Sequence, residues 1–516
     1  MKTYNKYILS LLASFMLLSC SDDFLDRPDL INPDSQNFYQ TETDAMQALM
    51  SVYDGIQSQA HATTWAPVLT VSDVLSDHAF AGGSDANDGF NYQQLNTFNT
   101  PAENPQTGTI WKKNYVGVYR ANLFLEKIEG IDASDDFKAR TSAEAKFCRA
   151  YSYFELLRFF ENIPFMTETV KGSDYNMPQA DPEVVYNQVA LDLYEASQDL
   201  PEVIAADETG RLSKWAAKSL LARVFLFYNG VYGKDLIAGD VTLNKAAVLA
   251  ELEDVIANSG HDLLDDYAML FRLESEYSIE SVFEIGYGDS PGWGDWGYIP
   301  GGEGNLAAQL QGPRAGGGGD WNRGWSYAPV SYKVVEAFDP ADVRLEATIL
   351  NESEINTTVD HGFQHTTYFS QKYTSDKEHW GTDGSLELNR KTNFRVIRFA
   401  DVLLMAAELG SPNAQDYLDR VRTRAGVPSI PATADNIYNE RSLELALEGL
   451  RYFDLLRKGL TYAESELTQV GERGPLYEGE QVNFDVTFDV ATRGFLPIPQ
   501  DALDLSNGNF TQNDGY

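Results

Sequence analysis

Three observations predict a mainly α fold, a stack of tetratricopeptide-like helical hairpins interrupted by an irregular, loop-rich lobe. Apolar residues recur at helical spacing over 37–262 and again after 395. Two of those helices echo each other: Ala145-Lys146 and Ala150 return as Ala217-Lys218 and Ala222. That offset is about twice the 34-residue period of a helical-hairpin repeat. Between 263 and 393 the helical period fails, and short strand-like pieces alternate with Gly-, Asp- and Trp-containing loops.

The chain opens on a leader. Lys2 and Lys6 precede an apolar run from Ile8 to Leu18 that is too short to span a bilayer. The run ends in Leu17-Leu18-Ser19-Cys20, which resembles a bacterial lipoprotein cleavage site. There the Cys becomes the lipidated first residue, anchored without a spanning helix. Residues 1–19 are therefore expected to be removed, and 20–36 to form a tether. Ser21-Asp22-Asp23 resembles a tag for the outer face of the outer membrane. With Cys20 lipidated, Cys148 has no intrachain partner, and its apolar helix face assigns it to core.

Helices are predicted over 37–57, 110–128, from near Ser142, over 182–200 (stopped by Pro201), 212–228 and 243–259, with loop-rich sequence from 58 to 107. The clearest stripe is Ala143, Phe147, Ala150, Phe154 and Leu157, spaced four, three, four and three. In the lobe, 281–285 and 366–373 read as strands. Helices resume over 395–409, 414–425 and 437–458, the last with a stripe of Leu443, Leu447, Leu450 and Phe453, and the tail is extended. The expected regions are 37–262, 263–394 and 395–516.

The 516 residues are 43% hydrophobic, ample for a large core. The formal charge of −38 repels phosphate backbones and anionic substrates, which excludes nucleic acid as a partner and leaves neutral ligands or cations.

The lobe holds the sequence GWGDWGYIPGGEGNLAAQLQGPRAGGGGDWNRGW, with twelve Gly and four of the chain's eight Trp. Gly at this density supplies neither helix nor strand, so it cannot hold a core. For any one Trp, packing beneath a loop is the commoner fate, so not all four are expected to reach a ligand, but the combination suits a neutral sugar. The C–H faces of a pyranose pack flat on indole rings, and the hydroxyls take Asp, Asn and Arg partners. Asp295, Asp320, Asn322 and Arg323 interleave with the Trp in that way. The expectation is a flat, open array of rings on loose backbone. Trp111 and Trp215 lie on helical stripes and are assigned to core.

A set of longer stretches carries a family resemblance: AEAKFCRAYSYFELLRFFENIPF, RLSKWAAKSLLARVFLF, RFADVLLMAAE, RVRTRAGVP, ERSLELALEGLRYFDLLRKG and LPIPQDALDLSNGNFTQNDGY. In order and over most of the chain, they resemble the SusD/RagB family of surface lipoproteins. The resemblance implies a non-catalytic glycan-binding role without cofactor, at the cell exterior. It also implies a SusC-like TonB-dependent transporter barrel as partner. It assigns Arg398, Arg420, Glu440, Glu448 and Arg451 to structural ion pairs. Carried over by position, the leading ligand contact is Trp325, in Gly324-Trp325-Ser326 before the helical segment at 332–338. Trp293, Trp296 and Tyr298 fall where another platform aromatic lies, and Trp321 belongs to the same stretch. A further contact region covers Asp73 to Phe80, including Asp77, with Trp65 and Tyr92 as neighbours.

Other functions find less support. With 77 acidic residues, pairs of carboxylates for glycoside hydrolysis are plentiful and uninformative. No nucleophile elbow, HExxH or Walker loop occurs, so no catalytic residue is assigned. His361 and His365 are four apart, but beside Gly362 and Thr366-Thr367 they read as exposed loop histidines and no metal site is expected. Within the family, peptide cargo is the alternative to glycan. An open aromatic row suits a glycan, whereas peptide capture rests on main-chain hydrogen bonds or an enclosed groove.

Overall fold

The computed structural model describes residues 39–516 apart from 63, 172–176, 291–302, 317–319, 383–384, 386, 471, 476–480 and 484. Residues 1–19, read above as a leader, Cys20 and the positions Trp293, Asp295, Trp296 and Tyr298 lie outside the described residues.

Helices dominate. α1 (Glu42–Gln57), α2 (Pro105–Ile128), α3 (Asp135–Phe160), α4 (Pro182–Asp199), α5 (Lys214–Tyr232) and α6 (Lys245–Asn258) pack each on the next. Their starts are written locally. Ser134, Asp181 and Ser213 each accept a hydrogen bond from a first-turn amide, and Thr41 and Asp44 form a reciprocal capping box. The internal echo is structural. Lys146 of α3 reaches Glu195 on α4 (2.8 Å), and Lys218 of α5 reaches Glu251 on α6 (2.6 Å), so each hairpin repeats the same cross-helix bridge. Ala145, Ala150, Ala217 and Ala222 are all buried, which lets the helices approach closely.

The stripe on α3 is buried as predicted, but the helix is buried on its other faces too. Its charges are therefore neutralised inside the protein: Glu144 by Arg211, Arg149 by Asp192 and Arg158 by Glu155. Cys148 is buried in the same core.

Residues 286–393, most of the expected lobe, run between two paired strands, β1 (Ser281–Ile285) and β2 (Phe394–Arg398), antiparallel with Ser281 opposite Arg398. The predicted helix over 395–409 is thus a strand followed by α7 (Phe399–Glu408). The Val and Ile of Arg395-Val396-Ile397 complete the sheet, which overrides the helical period. α8 (Ala414–Arg424) and α9 (Ala434–Glu444) follow, and α7 returns onto α5 and α6. The single helix expected over 437–458 is broken. α9 ends at Glu444 and α10 begins at Arg451 (Arg451–Lys458), with Leu447 (φ 59°) and Gly449 (φ 73°) left-handed between them. The Gly449 amide donates to Asp73 (3.1 Å), and the turn lets Glu444 and Glu448 converge on one guanidinium. The loop-rich stretch over 58–107 and the tail also hold short helices, among them Val68–Leu75 and Gln500–Leu505.

That guanidinium belongs to Arg398. It meets Glu280 at 2.7 Å, Glu444 at 2.9 Å and Glu448 at 2.8 Å, while Arg424 and Arg344 also meet Glu444 and Lys372 meets Glu448. All are buried. Glu440 pairs with Arg344 and Arg422, Arg451 with Asp77, and Arg420 with Asp262 at the surface. The charged residues of the recognised motifs thus tie the lobe to the C-terminal helices.

These pairs set the acid limit of the fold. Burial alone would raise Glu444, but Arg424, Arg398 and Arg344 carry it down from 4.5 to about 2. Asp401, buried between Arg441 and Arg223, falls from 3.8 to about 2. A carboxyl depressed in the folded state stabilises it above the unfolded-state value, and that contribution is lost as pH falls through the folded one. Urea unfolding should be unchanged by these groups above about pH 5 and lose roughly 2 kcal/mol from each between about pH 4 and 2.

Candidate functional site

The short helix Leu306–Gln311 positions the leading candidate. The chain after Arg323 runs back along its end. The amides of Gly324, Trp325, Ser326 and Tyr327 donate to Pro313, Gln309, Gly312 and Leu310 at 2.7–2.9 Å. Gly324 is required by contact rather than by looseness, since a Cβ there would lie 2.3 Å from the Gly312 backbone. The expectation of rings on loose backbone is corrected at this point. Glycine lets two backbones touch, and every amide from 324 to 327 is tied.

Trp325 stands half-buried on this clamp and meets Trp65, at the end of a two-strand hairpin (Ala60–His61 with Thr64–Trp65), at 5.3 Å between centroids. Tyr327 lies 5.6 Å from Trp325, and Tyr92 lies 5.6 Å from Tyr327. The buried Tyr92 hydroxyl donates to the Trp65 carbonyl at 2.8 Å, which ties the far end of the row to its beginning. Interplanar angles of 38°, 53° and 37° bend the row into a curve, where a flat array was expected. Leu306 and Leu388 back the Trp pair.

Polar groups fix one side of the row. The Tyr327 hydroxyl donates to Asp88 at 2.7 Å, and Arg314 donates to the Trp325 carbonyl at 3.2 Å while facing Asp88 at 3.4 Å. Burial works against the Asp88 charge, but hydrogen bonds from Ser84 and Tyr327 and the Arg314 cation hold its carboxyl below the usual range. Phe90, at the start of the helix that carries Tyr92, is 52% exposed.

Other sequence candidates go elsewhere. Trp321 is core, packed with Ala315, Leu350, Ile355, Val359 and Phe369, because its backbone bridges to Asp376 and turns the ring inward. Phe80 is buried, and Asp77 is buried in a two-hydrogen-bond pair with Arg451 (2.8 and 2.9 Å) beside Lys333. Both are corrected from ligand contact to scaffold. Asp320 and Arg323 are exposed, with Asp320 accepting from Asn356 (3.0 Å) and Arg323 paired to Asp360 (2.6 Å). Trp111 and Trp215 are core as expected.

Tyr327, Asp88 and Arg314, which the structure joins to the row, were missed. Tyr327 had a signal, because it stands two residues after Trp325 in the same stretch.

Residues 315–516 match the family described as "SusD family", and residues 23–226 match "Starch-binding associating with outer membrane". The solved structure of a "Laminarin binding SusD-like protein" is 31% identical, covers 93% of this chain and all of its own, and superposes with a TM-score of 0.79. The chain belongs to the SusD family. Other SusD-like relatives agree. A surface glycan-binding protein A from Bacteroides thetaiotaomicron, solved in complex with laminarihexaose, is 28% identical over 92% of this chain and all of its own, with a TM-score of 0.77. "SusD-like protein P25" from Formosa agariphila is 26% identical over 86% of this chain and 89% of its own. Among the described residues, no helix is long and apolar enough to cross a membrane.

Proposed function

We propose that this SusD-family chain captures an oligo- or polysaccharide on the curved row formed by Trp65, Trp325 and Tyr327, and performs no chemistry on it. The observation that carries this reading is the half-buried Trp65–Trp325 pair. It provides two large rings at a spacing that lets adjacent sugar units stack. The relatives described as binding laminarin or laminarihexaose make a β-glucan of that type the first ligand to try. Residues 263–394 serve as the ligand-facing lobe. A lipid on Cys20 holds the protein to the outer membrane, facing the cell exterior, where it hands cargo to a SusC-like TonB-dependent transporter.

Calorimetric titration of the purified chain with laminarin, laminarihexaose, unrelated glycans and tryptic peptides tests this. Saturable binding of a glycan that is recovered intact is the expected result. Binding of peptides alone, or the appearance of shorter saccharides, would overturn the reading.

A further inference from the structure

The structure brings the two histidines that sequence spacing set aside onto a glutamate that the sequence reading did not weigh. Glu352 follows the strand Ile349–Asn351, and its amide donates to the Thr367 carbonyl at 2.9 Å, which closes the loop between them. Inside that loop Gln364 and Thr367 take left-handed backbone (φ 58° and 67°), so His361 and His365 fold onto each other with ring centroids 4.3 Å apart. Both face one carboxylate. His361 Nε2 lies 2.7 Å from Glu352 Oε1, and His365 Nε2 lies 2.8 Å from Oε2. The three residues offer donor atoms within 4.8 Å of one another. His365 is thus buried rather than an exposed loop histidine.

We propose that Glu352, His361 and His365 form a binding site for a divalent transition-metal ion of the zinc class. Two imidazoles with one carboxylate suit Zn2+, Co2+ or Ni2+, whereas Ca2+ and Mg2+ take oxygen donors. Three protein ligands leave a fourth position for water. The formal charge of −38 favours cations generally. The ion would clamp a loop that also carries Asp360, the partner of Arg323, and Phe363, whose amide donates to Gly83 at 2.9 Å. Its place is independent of whether the aromatic row binds a glycan.

The test uses the full chain stripped with EDTA and titrated with ZnCl2 against a chromophoric chelator, with Co2+ as a spectroscopic probe. One equivalent of Zn2+ should bind, and Co2+ should give the intense d–d absorption of a four-coordinate site. His361→Ala and Glu352→Gln should each weaken Zn2+ binding at least ~10-fold. His261→Ala, outside the cluster, should leave it unchanged. His361 is partly exposed and Glu352→Gln preserves shape, so both variants should keep the urea midpoint of the metal-free chain. Absence of stoichiometric Zn2+ binding, or binding that both cluster variants leave intact, would mean that the triad is only a hydrogen-bonded clasp.

Discussion

Trp325→Ala should lower glycan affinity by about 1–3 kcal/mol, roughly five- to 150-fold, with little change in stability. The ring is half-buried and its backbone is held by main-chain hydrogen bonds that survive truncation, so the loss should fall mainly on the proposed binding surface. Trp65→Ala should act in the same direction. The two rings touch, at 5.3 Å, so the double variant should lose less than the sum of the single losses. Trp321→Ala is the contrasting case. Its ring fills a cavity-forming position among Leu350, Ile355, Val359 and Phe369, so it should cost about 3–5 kcal/mol of stability. Calorimetry and urea unfolding on the three variants separate the outcomes. Unchanged affinity in both Trp325→Ala and Trp65→Ala would move the binding surface elsewhere.

The difference between Trp321 and Trp325 marks what a sequence can carry. Both sit in the same Gly- and Trp-rich stretch, four residues apart, and composition treats them alike. What separates them is a bridge from Trp321 to Asp376 and a clamp of Trp325, Ser326 and Tyr327 onto Gln309, Gly312 and Leu310 respectively, contacts made across the lobe that no local period encodes. The scaffold was legible because helix starts and stripes are local: Asp181 and Ser213 cap helices that begin within two residues of the expected starts, whereas Ser134 starts its helix at Asp135, seven residues before the stripe read from Ser142. Helix boundaries failed where a non-local demand prevailed. At 395–398 a strand partner, β1, claimed residues with a helical period. At 445–450 the chain turned left-handed to bring two glutamates to Arg398. The histidines follow the same logic. A spacing of four outside a helix carries no ligand signal, and only the left-handed turns at Gln364 and Thr367 put both rings on Glu352.

Arg398→Met should cost about 3–5 kcal/mol of stability, far more than the loss of any surface ion pair. The guanidinium is fully buried, and Glu280, Glu444 and Glu448 converge on it while its Nη2 also donates to the Glu444 carbonyl at 2.9 Å. Burying three carboxylates is tolerable only because Arg398, Arg424, Arg344 and Lys372 surround them. Removing the central cation leaves desolvated negative charge that the flanking cations reach only at its edges. Arg398→Lys should remain costly, because one ammonium cannot span three carboxylates with the geometry of a planar fork. Arg420→Ala, whose partner Asp262 is exposed, should cost less than about 1 kcal/mol. Urea unfolding of the three variants provides the comparison, and an Arg398→Met midpoint close to that of Arg420→Ala would contradict the cluster's role. Because Glu280 stands just before β1, Lys372 in the lobe, and Glu444 and Glu448 around the C-terminal break, the same substitution should also uncouple lobe from scaffold. The unfolding transition should then split or broaden, since this buried charge network is the joint that ties Glu280 and Lys372 to the C-terminal helices.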